Sequence, residues 1–139
     1  MRANPLVVLA GALLMMGAAQ ASFAHHSFAA EFDIGRPIEL TGVVKEMRFS
    51  NPHSWIYVTV KLASGELQEW AIEGAAPNAL LRRGWNKKSL PAGTEIRVRG
   101  YQARDRSLKA AGRDVVLSDG SRLFVGSADA GAPDVAPDK

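Results

Sequence analysis

The sequence predicts a small, mainly β barrel, and three observations carry that expectation. Trp55 to Leu62 alternates Ile56, Val58, Val60 and Leu62 with Trp55, Tyr57, Thr59 and Lys61, the period-two pattern of a strand with one buried face. Further short β-branched and apolar runs follow at intervals punctuated by Gly-containing turns. Between them only one stretch, Pro77 to Arg83, has the start and stop grammar of a helix.

The chain opens on something other than the barrel. Met1-Arg2 is a short positive start, Leu6 to Ala19 is almost wholly apolar, and Ala19-Gln20-Ala21 and Ser22-Phe23-Ala24 place small residues at −3 and −1 of two cleavage points. That is the three-part form of a secretory signal peptide. The apolar run falls short of the ~20 residues that span a bilayer. The expectation is therefore a signal at 1–24, cut after Ala21 or Ala24, and a periplasmic protein with no stable membrane insertion afterwards. Cysteine is absent, so the domain stands without disulfides.

His25 to Arg36 reads as an ordered arm whose Phe28 and Phe32, four residues apart, dock on the domain. The first strand is expected over Pro37 to Phe49. Its parity slips near Gly42, which predicts a bulge there and puts Val43 and Met47 on the face opposite Ile38 and Leu40. Phe49 to His53 is a turn around Asn51-Pro52, with His53 at the mouth of the second strand, Trp55 to Leu62. Ala63-Ser64-Gly65-Glu66 turns the chain into a third strand, Leu67 to Ile72, as a hairpin.

Pro77 at a first helical position, Arg82 and Arg83 in the last turn and Gly84 after it mark the short helix, with Leu81 and Trp85 expected to cover one end of the barrel. The fourth strand is Thr94 to Tyr101, with Ile96 and Val98 inward and Glu95, Arg97 and Arg99 outward. The fifth is Lys109 to Leu117, and Asp119-Gly120 folds a last short strand, Arg122 to Val125, back on it. From 126 to 139 the chain is poor in apolar bulk and reads as a disordered tail. Three strands, a short helix, then two strands with a trailing hairpin is the order of an OB-like five-stranded Greek-key barrel over 37–125, with its helix between strands three and four.

Three words, in order, resemble a family of bacterial exported proteins known only as a domain of unknown function, with an OB-fold-like barrel. They are Ala24-His25-His26-Ser27-Phe28, Asn51-Pro52-His53-Ser54-Trp55-Ile56-Tyr57, and Pro77 through Trp85. Gly93 to Tyr101 adds a weaker fourth. The resemblance spans about His25 to Phe124 and implies no activity.

Two sets of residues are candidates for binding. His25, His26 and His53 are the only histidines, and they lie at a chain terminus or a strand mouth. Imidazoles suit a divalent metal, copper first and zinc or nickel as alternatives. Cleavage after Ala24 would add the α-amine of His25 to the donors. The competing reading is that the histidines only pin the arm and turn.

The second set is an aromatic and basic face, Trp55, Tyr57 and Trp70 with Arg97, Arg99 and Tyr101, which would serve a protein, peptide or glycan partner. Against it, the tryptophans would suit the barrel wall and the arginines a solvated face. A formal net charge of +3, which includes Arg2 of the leader, is too weak to argue for nucleic acid. Glu66, Glu69 and Glu73 read as a polar face, and Ser27 and Ser54, each beside a histidine, carry no nucleophile elbow. The expectation is a binding module that is not an enzyme.

Overall fold

The computed structural model describes residues 28–126. A helical turn at 28–31 leads into β1 (Phe32–Phe49), β2 (Ser54–Lys61), β3 (Leu67–Glu73), α1 (Pro77–Arg82), β4 (Glu95–Ala103), β5 (Lys109–Leu117) and β6 (Arg122–Phe124). The six strands form one sheet in the order β3-β2-β1-β4-β5-β6, antiparallel throughout this order. A parallel pairing of β3 with β5, through Ala71↔Lys109, Ile72↔Ala110 and Glu73↔Ala111, joins five of them into a ring. The expected OB-like order therefore forms, with β6 as a sixth strand hung on the outer side of β5.

Alternation fills the ring. Ile56, Val58 and Val60 of β2, Trp70 and Ile72 of β3, Ile96 and Val98 of β4 and Ala110 and Val115 of β5 converge on one buried core. Gly65 and Gly120 take positive φ in the β2–β3 and β5–β6 turns, as those hairpins require. In β1 the sequence reading needs correction. Parity holds from Ile38 and Leu40 through Gly42 to buried Val44, and the register slips at Lys45, between Val44 and Glu46, after which Met47 and Phe49 again face the core. Val43 lies outside, 42% exposed. Gly42 marks a close approach and not the bulge: a Cβ there would sit 2.5 Å from the Thr59 carbonyl oxygen of β2.

The helix also differs in detail. Leu80, fully buried, is the residue that caps the core, while Leu81 is 53% exposed. A six-residue helix offers too little periodicity to choose between adjacent leucines. Its end is a Schellman turn, with Gly84 N–H to Leu81 O and Trp85 N–H to Leu80 O, and Gly84 at positive φ. That turn delivers Trp85 into the core, where its indole donates to the Phe124 carbonyl at 3.1 Å.

β1 begins at Phe32 rather than Pro37. Phe28 and Phe32 are both buried, with ring centroids 5.5 Å apart, and Phe28 meets Tyr101 edge-on at 6.1 Å. With Ala103 they make a second apolar cluster on the outside of the ring. Arg104 fixes the segment from below, its backbone N–H donating to Glu31 O and its Nε to Ala29 O. Burial of each phenylalanine contributes roughly 1.5–3 kcal/mol. The predicted signal peptide, His25, His26 and the tail beyond Gly126 lie outside the described residues. Among the described residues no helix is long and apolar enough to cross a membrane.

Candidate functional site

The mouth of the barrel is set by how β2 starts and β3 ends. The Asn51–Pro52 peptide is cis, and Ser50 Oγ donates to the His53 carbonyl at 3.0 Å, closing the turn that precedes β2. Ser54 then clamps the two strands: its N–H donates to Ala75 O, and Gly74 N–H donates to Ser54 O. With Trp55 paired to Glu73, the side chains of His53 and Glu73 meet, Nδ1 to Oε1 at 3.2 Å. The histidine side chain is 41% exposed and the carboxylate only 14%.

Burial pushes the Glu73 carboxyl above its ordinary value. His53 pulls the other way, the charge of Glu31 adds to the rise, and Lys109 opposes it. Glu31 and Lys109 themselves form an ion pair, and the Lys109 ammonium lies 5.7 Å from the centre of the Phe32 ring. The side-chain bond to Glu31 holds the Lys109 pKa above its usual range. With His53 uncharged, the mouth carries two carboxylates against one lysine and is one positive charge short of balance.

Chemically, a carboxylate that accepts the Nδ1–H of a histidine fixes the tautomer and leaves the Nε2 lone pair free. A metal-bound histidine is oriented by such a bond, and here the two groups are in ion-pair contact at 3.2 Å. Among the described residues no group of three or more His, Cys, Asp or Glu could hold a metal ion. His53 and Glu73 thus form part of a donor set at most. Glu31, just after Phe28, is tied to this region through its ion pair with Lys109, whose strand runs beside Ala71 to Glu73.

The residues of the predicted ligand face do not gather in one place. Trp55 and Tyr57 lie half-buried on the outside of β2, opposite Arg48 and Glu46 of β1. The Arg48 guanidinium sits 4.9 Å above the Tyr57 ring and is itself forked onto Glu46 at 2.8 and 2.7 Å. Arg97 and Arg99 stand opposite Thr41 and Glu39 of the same strand. At about 3.3 Å per residue the two pairs are some 15 Å or more apart along β1. Trp70 points into the core, and Tyr101 is occupied by Phe28.

Sequence reasoning passed over Glu73 as a site residue, although the signal was present. The hairpin register that pairs Lys61 with Leu67 also pairs Trp55 with Glu73, two residues from His53. No comparable signal marked Glu31 or Lys109, which meet because the segment before β1 is held against the end of β4, by Phe32 paired with Ala103 and the Arg104 N–H on Glu31 O, next to where β5 begins. The same holds for Asp114, 3% exposed on β5, which binds Arg99 from β4 and its neighbour Arg113, each through Nε at 2.9 Å.

The chain matches the model of the family of unknown function DUF6152 over residues 12–112. It belongs to that family. No curated protein matches it. The DUF6152 span takes in His25, His26, His53, Glu73 and Lys109 and stops just short of Arg113 and Asp114.

Proposed function

We propose that this DUF6152 protein is an exported, periplasmic, non-enzymatic module that binds a divalent metal, copper(II) first, through His53 at the barrel mouth together with His25 and His26. The observation that carries the reading is the His53 Nδ1–Glu73 contact at 3.2 Å, between a largely buried carboxylate and a histidine side chain that is 41% exposed. Glu73 acts as the orienting partner, and Nε2 as the metal donor.

His25 and His26 supply the remaining donors. Two residues lie between His25 and Phe28, three steps of at most about 3.6 Å each, so the backbone of both histidines is tethered within roughly 11 Å of the docked Phe28. Cutting after Ala24 would place the α-amine of His25 in the set, and imidazole with amine nitrogen suits Cu(II) over softer ions. A site short of positive charge is also electrostatically receptive to a dication. The pairing of Trp55/Tyr57 with Arg97/Arg99 as one partner-binding face gains less from the geometry, because β1 separates the two halves and Arg48 already covers Tyr57.

The test is a Cu(II) and Zn(II) titration of the full mature chain purified after export, its N-terminus fixed by intact mass. Stoichiometric Cu(II) binding that weakens at least about tenfold in His53→Ala, roughly 1.4 kcal/mol, is the expected result. Binding no tighter than that of a variant lacking all three histidines overturns it.

A further inference from the structure

A second polar centre lies on the outer wall, away from the mouth. Asp114 receives Arg99 Nε on Oδ1 and Arg113 Nε on Oδ2, both at 2.9 Å, and Arg122 Nε stands 3.5 Å from Oδ1. Three guanidiniums thus converge on one carboxylate that is 5% exposed, an excess of positive charge in a half-buried setting. One structural carboxylate needs a single bidentate arginine. The remaining charge lacks a partner within the cluster.

Arg113 stands there because of a β-bulge. Arg99 pairs with Asp114 and the next residue, Gly100, pairs with Gly112, so Arg113 is the extra residue of β5. A bulge re-aims a side chain. Here Arg113 and Asp114, adjacent in sequence, bind each other side by side. Val125 and Gly126 donate their N–H groups to the Arg113 carbonyl and hold the bulge in place.

Arg99 and Arg113 both line a cavity of about 310 Å³, with Pro37, Glu39 and Tyr101 on its other sides and Gly100 between them. Each arginine spends its Nε on Asp114, which leaves the Nη pair, and the Tyr101 hydroxyl lies within reach of the Arg113 guanidinium and would share that pair with a ligand. Glu39, paired across the strands with Arg99, also lines the cavity and contacts the largely exposed Arg97 at 3.8 Å, so a bound anion would sit beside one carboxylate. Tyr101 and Pro37 supply apolar walls, and the volume is at the lower end of small-ligand sites.

We infer that this concavity binds a small organic oxyanion, a carboxylate or a phosphate or sulfate monoester, with its charged head on the Nη groups of Arg99 and Arg113 and its body against Pro37 and Tyr101. The bulge at Arg113 is what brings two guanidiniums to one head group. The site is independent of the metal reading and uses none of its residues.

The experiment is an NMR amide titration of the full mature chain at low ionic strength with phenyl phosphate, benzoate and inorganic phosphate, read beside thermal melts. The expected result is saturable binding of phenyl phosphate or benzoate at about 1 mM or tighter, with the largest shifts at Gly100, Tyr101 and Arg113. Arg113→Gln should weaken it about tenfold or more, Arg113→Lys less, and Arg82→Gln on α1, which does not line the cavity, not at all. Arg113→Lys keeps a cation beside Asp114, so it reports on the site even where Arg113→Gln melts early. Shifts that never saturate, or that persist unchanged in a folded Arg113 variant, overturn the site. Inorganic phosphate binding as tightly as phenyl phosphate overturns the organic body contacts.

Discussion

The mouth and the wall of this barrel each contain a carboxylate withdrawn from water, and they treat it in opposite ways. Asp114 on the wall has three guanidiniums around it. Glu73 at the mouth has one histidine, and it shares Lys109 with Glu31, so burial wins and its pKa rises. The wall is over-supplied with positive charge and the mouth is short of it. The difference suggests what each lacks: an anion at the wall, a cation at the mouth. It also separates two kinds of buried carboxylate, one whose loss breaks a network and one whose neutralisation relieves a strain.

The largest expected effect follows from breaking the wall. Asp114→Asn leaves three converging guanidiniums without their counter-charge, and breaking a buried pair in this way costs about 3–5 kcal/mol. Urea denaturation at neutral pH measures it. A loss below about 1 kcal/mol, the range of surface ion pairs, would mean that the arginines simply swing into solvent.

Next is the fastening of the arm. Phe28→Ala removes a buried ring from the cluster with Phe32 and Tyr101, a loss of roughly 1.5–3 kcal/mol of burial. Its sharper readout is local. Amide exchange of 28–33 should speed up, and copper affinity should fall with it, while phenyl phosphate binding changes less. An arm released without any loss of copper affinity would uncouple the N-terminal histidines from the mouth.

How much of this was legible in the chain depends on the element. The β2–β3 hairpin could be read because strict alternation and Gly65 fix both its faces and its turn. The docking of Phe28 and Phe32 could be read from their spacing. Bulges were harder, since the sequence cue for one is a glycine, and Gly42 proved to be a close approach while the slip fell at Lys45. The bulge that turns out Arg113 has no glycine at the extra residue itself. Of the site, His53 was visible as the residue before an unmistakable strand. Glu73 required the hairpin register to be followed to its end, and Glu31 with Lys109 required knowing that the segment before β1 is held against the end of β4, next to the start of β5.

The pH dependence of the mouth carries a definite sign. Because the folded Glu73 pKa is raised, folding takes up a proton relative to the unfolded chain. The corresponding stability is fully present below the ordinary glutamate value and is lost as pH climbs through the raised one. In metal-free protein, Glu73→Gln should flatten that part of the stability profile. Chemical denaturation of both proteins in chelator across the acidic to neutral range checks it. An equally steep decline in the variant would locate the titration elsewhere.

The smallest effect is at Ser54, whose Oγ is buried with no hydrogen-bond partner among the described residues. Its backbone, and not its hydroxyl, clamps β2 to β3. Ser54→Ala should change stability by no more than about 1 kcal/mol, with stabilisation the expected direction. A larger loss by thermal melting would show that the hydroxyl serves the mouth.

The comparison rests most heavily on the claim that the mouth receives a dication through His53. Electron paramagnetic resonance of the mature chain loaded with substoichiometric Cu(II), wild type beside His53→Ala, addresses it directly. The metal reading predicts nitrogen coordination that loses one imidazole in the variant, with a shift in the copper parameters. Identical spectra would mean that the N-terminal residues hold copper by themselves, and that the His53–Glu73 pair serves only the structure of the turn.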